Sequence, residues 1–419
     1  MTSNMVINMI KTKTLFVGGN FDDKTGKKSK IAEIVAQSLV NDVSNTFTNN
    51  TNILPISNTS LDITYYNGGN LKELENIVQK CQDYKIIFWF PNISNNEQKL
   101  VKKLKIINPG HVLVTSKNNF ENKYGFGDLV YHALNNHSNL FVEFTKDKAE
   151  VKTGETARIR GRIIDPLGNV FLNYCDDFHL VSQVLKERSV ELAEYVRMPS
   201  FKLHEKYDGS NSISTSTQIL TPISTHESDY FLDIVKRYAN RFHELIHPKE
   251  DAETRFMGNA SFRCTYGFPS ARTGNGIMVS RRNIDKRELN FDSFVFVKKD
   301  WPVEYYGNFK PSVDTPVQIG LYNYYPNVNY MIHSHTYIEN APFTRNVIPC
   351  GALEEITDIA DLFPDNNSKD FSVNLRGHGS IVLASSVSHL ENIQYYSKSL
   401  PEIHGDYKVR ARKSLEAQK

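Results

Sequence analysis

Three histidines in the C-terminal half stand in patterns that suit a metal ion. His333-Ser334-His335 closes a β-type run, Val328-Asn329-Tyr330-Met331-Ile332. Side chains two residues apart on a strand leave the same face, so both imidazoles can reach one ion. Farther along, Arg376-Gly377-His378-Gly379-Ser380 heads a second apolar strand, Ile381–Ala384. Glycine on either side of His378 lets backbone approach a crowded centre closely. Three neutral imidazoles with coordination positions left open suit a catalytic rather than a structural divalent-metal site, zinc first and manganese second. A histidine taken alone is more often a core or surface residue. The conjunction of the His-x-His pair with the Gly-His-Gly turn separates these three from the rest of the 13 histidines.

The elements that must hold this constellation begin near Ser228, with a helix whose face carries Phe231, Ile234, Val235, Tyr238, Phe242 and Leu245. Helical spacing of these six reads as core packing. Residues 226–419 are therefore expected as one domain. Residues 197–225, rich in Ser, Thr and charge and containing Gly209-Ser210-Asn211-Ser212, are expected as a linker.

The preceding stretch, 12–196, alternates short β-rich runs with helix-period segments. Strands are expected at Thr14–Val17, Leu61–Tyr66, Ile86–Phe90, His111–Thr115 and Leu140–Phe144. Helices are expected at Ser29–Val40, Leu71–Gln82, Asn96–Ile107 and Gly127–Leu134. This alternation predicts a doubly wound α/β domain, a Rossmann- or flavodoxin-like parallel sheet. Val151–Ile164 and Val170–Tyr174 flank the turn sequence Asp165-Pro166-Leu167-Gly168, which predicts a hairpin, and a helix bearing Val181, Val184, Leu185 and Leu192 follows. Gly18-Gly19-Asn20 follows the first strand, where such sheets bind ligands. It leaves open a nucleotide, a flavin, a sugar phosphate or a purely structural role. Gly26-Lys27-Lys28-Ser29 is no P-loop, because Phe21 stands where the upstream glycine is needed.

Composition narrows the function classes. The 419 residues are 40% hydrophobic and 23% charged, with 49 basic and 47 acidic side chains and no sustained basic block. Nucleic acid is not the expected partner. Apolar runs such as Ile86–Phe90 are far shorter than the roughly 20 residues a membrane span needs. The four cysteines, with no CxxC spacing, point to reduced thiols in a cytoplasmic setting.

Six fragments in order make residues 226–400 resemble the class II aldolase/adducin family. They are Gly258-Asn259-Ala260-Ser261-Phe262-Arg263, Thr273-Gly274-Asn275-Gly276, Lys310-Pro311-Ser312-Val313-Asp314-Thr315-Pro316, His333-Ser334-His335, Ile348-Pro349-Cys350 and Gly377-His378-Gly379. The resemblance implies an α/β/α sandwich, commonly a homotetramer, with a metal on His333, His335 and His378. It implies a lyase that cleaves a ketose phosphate through a metal-stabilised enediolate, with Asn259, Thr273, Gly274 and Ser312 on the phosphate. Asp314 stands where aldolases carry a glutamate base, and the epimerase branch also has aspartate there. An epimerase or dehydratase is therefore the first alternative. An adducin-like scaffold is the second, although adducin-type domains have lost the metal histidines that this chain keeps.

Two departures shape the candidate list. Val313 replaces the second serine of the family's phosphate pair, removing a donor worth about 1 kcal/mol. The interval from His335 to Ile348 is short. It offers Tyr337 and Glu339 as acid/base residues, Arg345 as an anion holder, and leaves Tyr407 in the tail as an acid from a partner subunit.

Overall fold

The computed structural model describes residues 11–396 apart from 22–25, 42–59, 94–96, 109, 147–157, 196–201, 206–218, 221–224, 247–257, 268–272, 302 and 307–308. These residues form two compact units, one running to Glu194 and the other starting at Tyr195.

In the first unit β1 (Lys11–Phe21), α1 (Lys30–Asn41), β2 (Ser60–Gly69), α2 (Leu71–Gln79), β3 (Ile86–Asn92), α3 (Glu97–Ile107), β4 (Val112–Asn118), α4 (Phe126–Asn135) and β5 (Leu140–Lys146) alternate strictly. They are followed by β6 (Ile159–Ile164), β7 (Val170–Cys175) and α5 (Phe178–Glu194). The sheet order is β2-β1-β3-β4-β5-β6-β7, parallel from β2 to β5 and antiparallel beyond. Order 2-1-3-4-5 is the flavodoxin-like member of the doubly wound class. Its central strand β3 buries Ile86, Ile87, Phe88 and Trp89 in succession, as a strand covered on both faces requires. α2 is started by a capping box, Asn70 with Glu73, and turns Leu74, Ile77 and Val78 inward. The expected hairpin is β6–β7, and residues 151–157 of its first arm lie outside the described residues.

The glycines expected to follow the first strand lie within the end of β1 and have a packing explanation. Gly19 has φ +83, and a Cβ there would lie 2.4 Å from the backbone nitrogen of Gly68. The Asn67 amide oxygen accepts from the Ser29 N–H at 2.8 Å. The space beside these residues is thus filled by the end of β2, which favours the structural reading of Gly18-Gly19-Asn20.

The second unit contains β8 (Lys202–Glu205), β9 (Ile219–Leu220), α6 (Thr225–Ile246), β10 (Asn259–Gly267), β11 (Thr273–Ser280), β12 (Phe294–Lys298), β13 (Glu304–Tyr306), α7 (Thr315–Tyr324), β14 (Tyr330–Ser334), α8 (Glu354–Leu362), β15 (Phe371–Leu375) and β16 (Gly379–Ala384). The sheet runs β15-β16-β14-β10-β11-β12-β13-β8, with β9 on β10. Every pairing is antiparallel except β13–β8. The linker expected at 197–225 is therefore corrected over its described parts, because β8 and β9 hydrogen-bond into this sheet. Edge pairing uses backbone groups, so a segment without an apolar period can still join a sheet.

Alternation along the strands separates two faces. Tyr330 and Ile332 of β14, with Ala260 and Phe262 of β10, pack under α6 against Phe231, Ile234, Val235 and Tyr238. The side chains of Phe242 and Leu245 lie outside the described residues. Met331, Ile277, Val279, Ile381 and Leu383 turn to the opposite face and meet Val317, Ile319, Leu321 and Tyr322 of α7 and Ile359 of α8. Burying each such side chain contributes about 1.5–3 kcal/mol. His333 has the parity of Met331, so the fold sends it toward the side where α7 and α8 begin.

Candidate metal centre

β14 delivers the first histidine and the bend after it the second, while the turn before β16 delivers the third. The rings of His333, His335 and His378 have centroids 4.5–5.3 Å apart. One ligand nitrogen from each lies within 4.8 Å of the others, and all three residues are buried. Gly379 makes this approach possible. It has φ +131, and a Cβ there would stand 2.1 Å from the carbonyl oxygen of Ser334 and 2.8 Å from Cα of His335. Any side chain at 379 would push the His378 turn off the His335 backbone.

The ring nitrogens are sorted by their partners. Nδ1 of His333 is 2.9 Å from the Ser380 carbonyl, and its Nε2 is buried without a hydrogen-bond partner. Burial, reinforced by the nearby His378, lowers the His333 pKa to about 4, which keeps the ring neutral. Nδ1 of His378 is 2.8 Å from Oε1 of the buried Glu355, and its Nε2 is 3.1 Å from Sγ of Cys350. Burial opposes charge on the His378 ring, yet Cys350 and Glu355 together raise its pKa well above the usual value. An orphaned imidazole nitrogen, convergent histidines and a carboxylate-oriented ring fit a divalent metal.

Asp314 sits at the start of α7 and makes no side-chain cap bond there. Its carboxylate faces the histidines instead. Oδ2 accepts from Nδ2 of Asn259 at 2.8 Å and lies 4.0 Å from Nε2 of His333, while Oδ1 is buried without a partner. Asn259 pairs across the sheet with His333, and its amide oxygen accepts from Gln318. The Ser312 hydroxyl is 3.5 Å from Asp314 Oδ2. The three histidines, Asp314, Asn259 and Ser312 are thus one neighbourhood.

The remaining expected residues are placed differently. Thr273 and Gly274 pair with Gly267 and Tyr266, at the end of the β10–β11 hairpin remote from Asn259. Eight strand residues at about 3.4 Å each put them some 27 Å along the hairpin from Asn259. A dipeptide match says nothing about which end of a hairpin it occupies, and in this chain the Thr-Gly pair and Asn259 stand at opposite ends. The register Ser261↔Val279, continued, instead sets Arg281 beside Asn259. Arg281 bridges to Pro311, stacks on Phe309 at 3.9 Å and has a buried Nε without a partner. Tyr337 is wholly buried, and its hydroxyl accepts from the Gly377 N–H at 2.9 Å, so it braces the His378 turn. Glu339 is exposed on the loop beyond, as is Arg345. Tyr407 lies outside the described residues.

Residues 242–341 match the family model of the Class II Aldolase and Adducin N-terminal domain. The second unit carries a class II aldolase-type domain. The motif resemblance is borne out there, and His378 completes the cluster from beyond the matched span. No curated protein matches the chain. Among solved structures, the N-terminal class II aldolase domain of a conserved protein from Thermoplasma acidophilum is 14% identical, with a TM-score of 0.28 over 41% of this chain and 95% of its own. L-fuculose 1-phosphate aldolase from Glaciozyma antarctica PI12 is 12% identical, with a TM-score of 0.25 over 40% and 71%. A DNA/pantothenate metabolism flavoprotein from Streptococcus pneumoniae is 15% identical, with a TM-score of 0.30 over 44% and 99%.

Sequence reasoning missed Glu355 and the place of Cys350 in the cluster. An acidic residue in a helix first turn ordinarily serves the helix dipole, so nothing in the string singled out Glu355. Ile348-Pro349-Cys350 was visible as a motif fragment, without a sign that the thiol points at His378. No helix among the described residues is long and apolar enough to cross a membrane.

Proposed function

We propose that the second unit is a divalent-metal-dependent lyase of the aldolase type, acting on a ketose phosphate. The observation that carries this reading is the convergence of His333, His335 and His378 around an orphaned Nε2, with Asp314 beside it. The three histidines would hold zinc, or manganese as the alternative. When bound, the ion supplies Lewis-acid polarisation of the substrate carbonyl.

Asp314 is the base. Asn259 fixes its Oδ2, which leaves Oδ1 to take the proton of the substrate hydroxyl β to the carbonyl. The bond between the carbon α to the carbonyl and the hydroxyl-bearing β carbon breaks, the β carbon leaves as an aldehyde, and the electron pair stays on the α carbon of the ketone fragment. A proton returned to that fragment completes the cleavage. Ser312 and Arg281 would bind the phosphate, the guanidinium as a charge-assisted donor. Tetramer assembly is part of the same reading, tested by sedimentation of the full chain.

A second reading, epimerase or dehydratase, is favoured by the 4.0 Å between Asp314 and His333, which suits a carboxylate at the metal rather than a remote base. The deciding experiment is elemental analysis of the wild type and of His333→Ala/His335→Ala, followed by a ketose-phosphate screen that traps aldehydes. About one metal per chain in the wild type alone, with an aldehyde product, supports the lyase. Epimerised or dehydrated product without aldehyde selects the second reading, and absence of metal in both proteins overturns the metal centre.

A further inference from the structure

We propose that Cys350 is a thiolate ligand of this centre, making it a mixed histidine–cysteine site that selects zinc over manganese. The inference rests on the metal-centre reading above. Sγ of Cys350 is 3.1 Å from Nε2 of His378, the ring nitrogen facing away from Glu355. Cys350, His378 and Asp314 form a second set whose ligand atoms lie within 4.8 Å, sharing His378 with the histidine set. The thiol is held there by its neighbour. Gly351 has φ +75, and a Cβ on it would lie 2.9 Å from the Val313 carbonyl oxygen, so the Cys350 turn is pinned against the residue preceding Asp314.

The same distances also fit a nucleophilic relay, Cys350–His378–Glu355. A relay needs one imidazole. Here two further histidines crowd the first, and Nε2 of His333, in a residue only 4% exposed, points into the cluster without a partner. A cation on the histidine set would satisfy that nitrogen and, through the shared His378, would stand next to the thiol, whereas a relay leaves His333 orphaned. On binding, the thiol gives its proton to solvent and the sulfur lone pair goes to the ion. A soft sulfur donor favours zinc or cobalt over manganese or magnesium.

The test is cobalt substitution of the full chain. Wild type loaded with Co(II) is expected to show a sulfur-to-cobalt charge-transfer band in the near ultraviolet. Cys350→Ser should keep the bound cobalt but lose the band and lose preference for zinc over manganese in competition. Cobalt should also shield Cys350 from alkylation in the wild type. Bound cobalt with no such band, and a thiol still alkylated, overturns the inference while leaving the histidine site standing. Failure of the wild type to bind any metal overturns both. The wild-type spectrum and alkylation decide the matter even where Cys350→Ser does not fold.

Discussion

Oε1 of Glu355 lies 2.8 Å from Nδ1 of His378, and both groups are almost wholly buried. The contact fixes the ring with Nε2 turned away from Glu355 toward Sγ of Cys350, the role an outer carboxylate plays behind a metal-bound imidazole. Glu355→Gln keeps the shape and a hydrogen-bonding group but removes the charge. It is expected to weaken metal binding by about 10–100-fold with the circular dichroism spectrum unchanged. Unaltered affinity in a chelator competition would remove Glu355 from the site, whereas His378→Ala is expected to abolish binding outright.

Asp314→Asn is expected to retain stoichiometric metal and lose turnover by about 10²–10⁴-fold, the usual contribution of a positioned base. Asparagine preserves the volume, and its amide oxygen can still accept from Asn259. Steady-state rates beside metal content measure both halves. Undiminished turnover would take Asp314 out of the chemistry.

Arg281 replaces the Thr-Gly pair as the anion holder in the proposed reaction. Removing a hydrogen bond from a charged donor costs about 1.5–3 kcal/mol, so Arg281→Met should raise KM for a phosphorylated substrate by about 10–100-fold. Inhibition by inorganic phosphate should weaken in parallel. Thr273→Ala serves as the contrast and is expected to leave both unchanged.

His132 in α4 predicts a pH dependence of the first unit. Burial, then the charge of Lys117, lower its pKa from 6.5 to about 4, and its Nε2 lies 3.1 Å from Nδ2 of Asn136, the contact of a neutral ring. The folded pKa is depressed, so the unfolded chain binds more protons between pH 6.5 and 4. The stabilisation is fully present above 6.5 and is lost as pH falls toward 4, with a slope below about 1.4 kcal/mol per pH unit. Thermal melts across that range should flatten in His132→Gln, and an identical profile would contradict the assignment.

The chain order of residues was enough to reveal the alternating elements of the first unit, because hydrophobic period and turn chemistry are local properties. The run Ile86–Phe90 could only be a covered strand, and Asp165-Pro166-Leu167-Gly168 could only turn. The convergence of the three histidines was equally legible, since His-x-His spacing at a strand end sends His333 and His335 to one side, and the glycines around His378 announce a close approach. Tertiary structure decided everything that depends on register and on helix ends. It set Arg281 beside Asn259 and carried Thr273-Gly274 to the far end of the hairpin. It withdrew Tyr337 into a bracing role and brought Cys350 and Glu355 onto His378 from a turn and a helix start. These relations join residues distant along the chain through backbone pairing and packing, and neither residue type nor spacing encodes which of several compatible partners will meet.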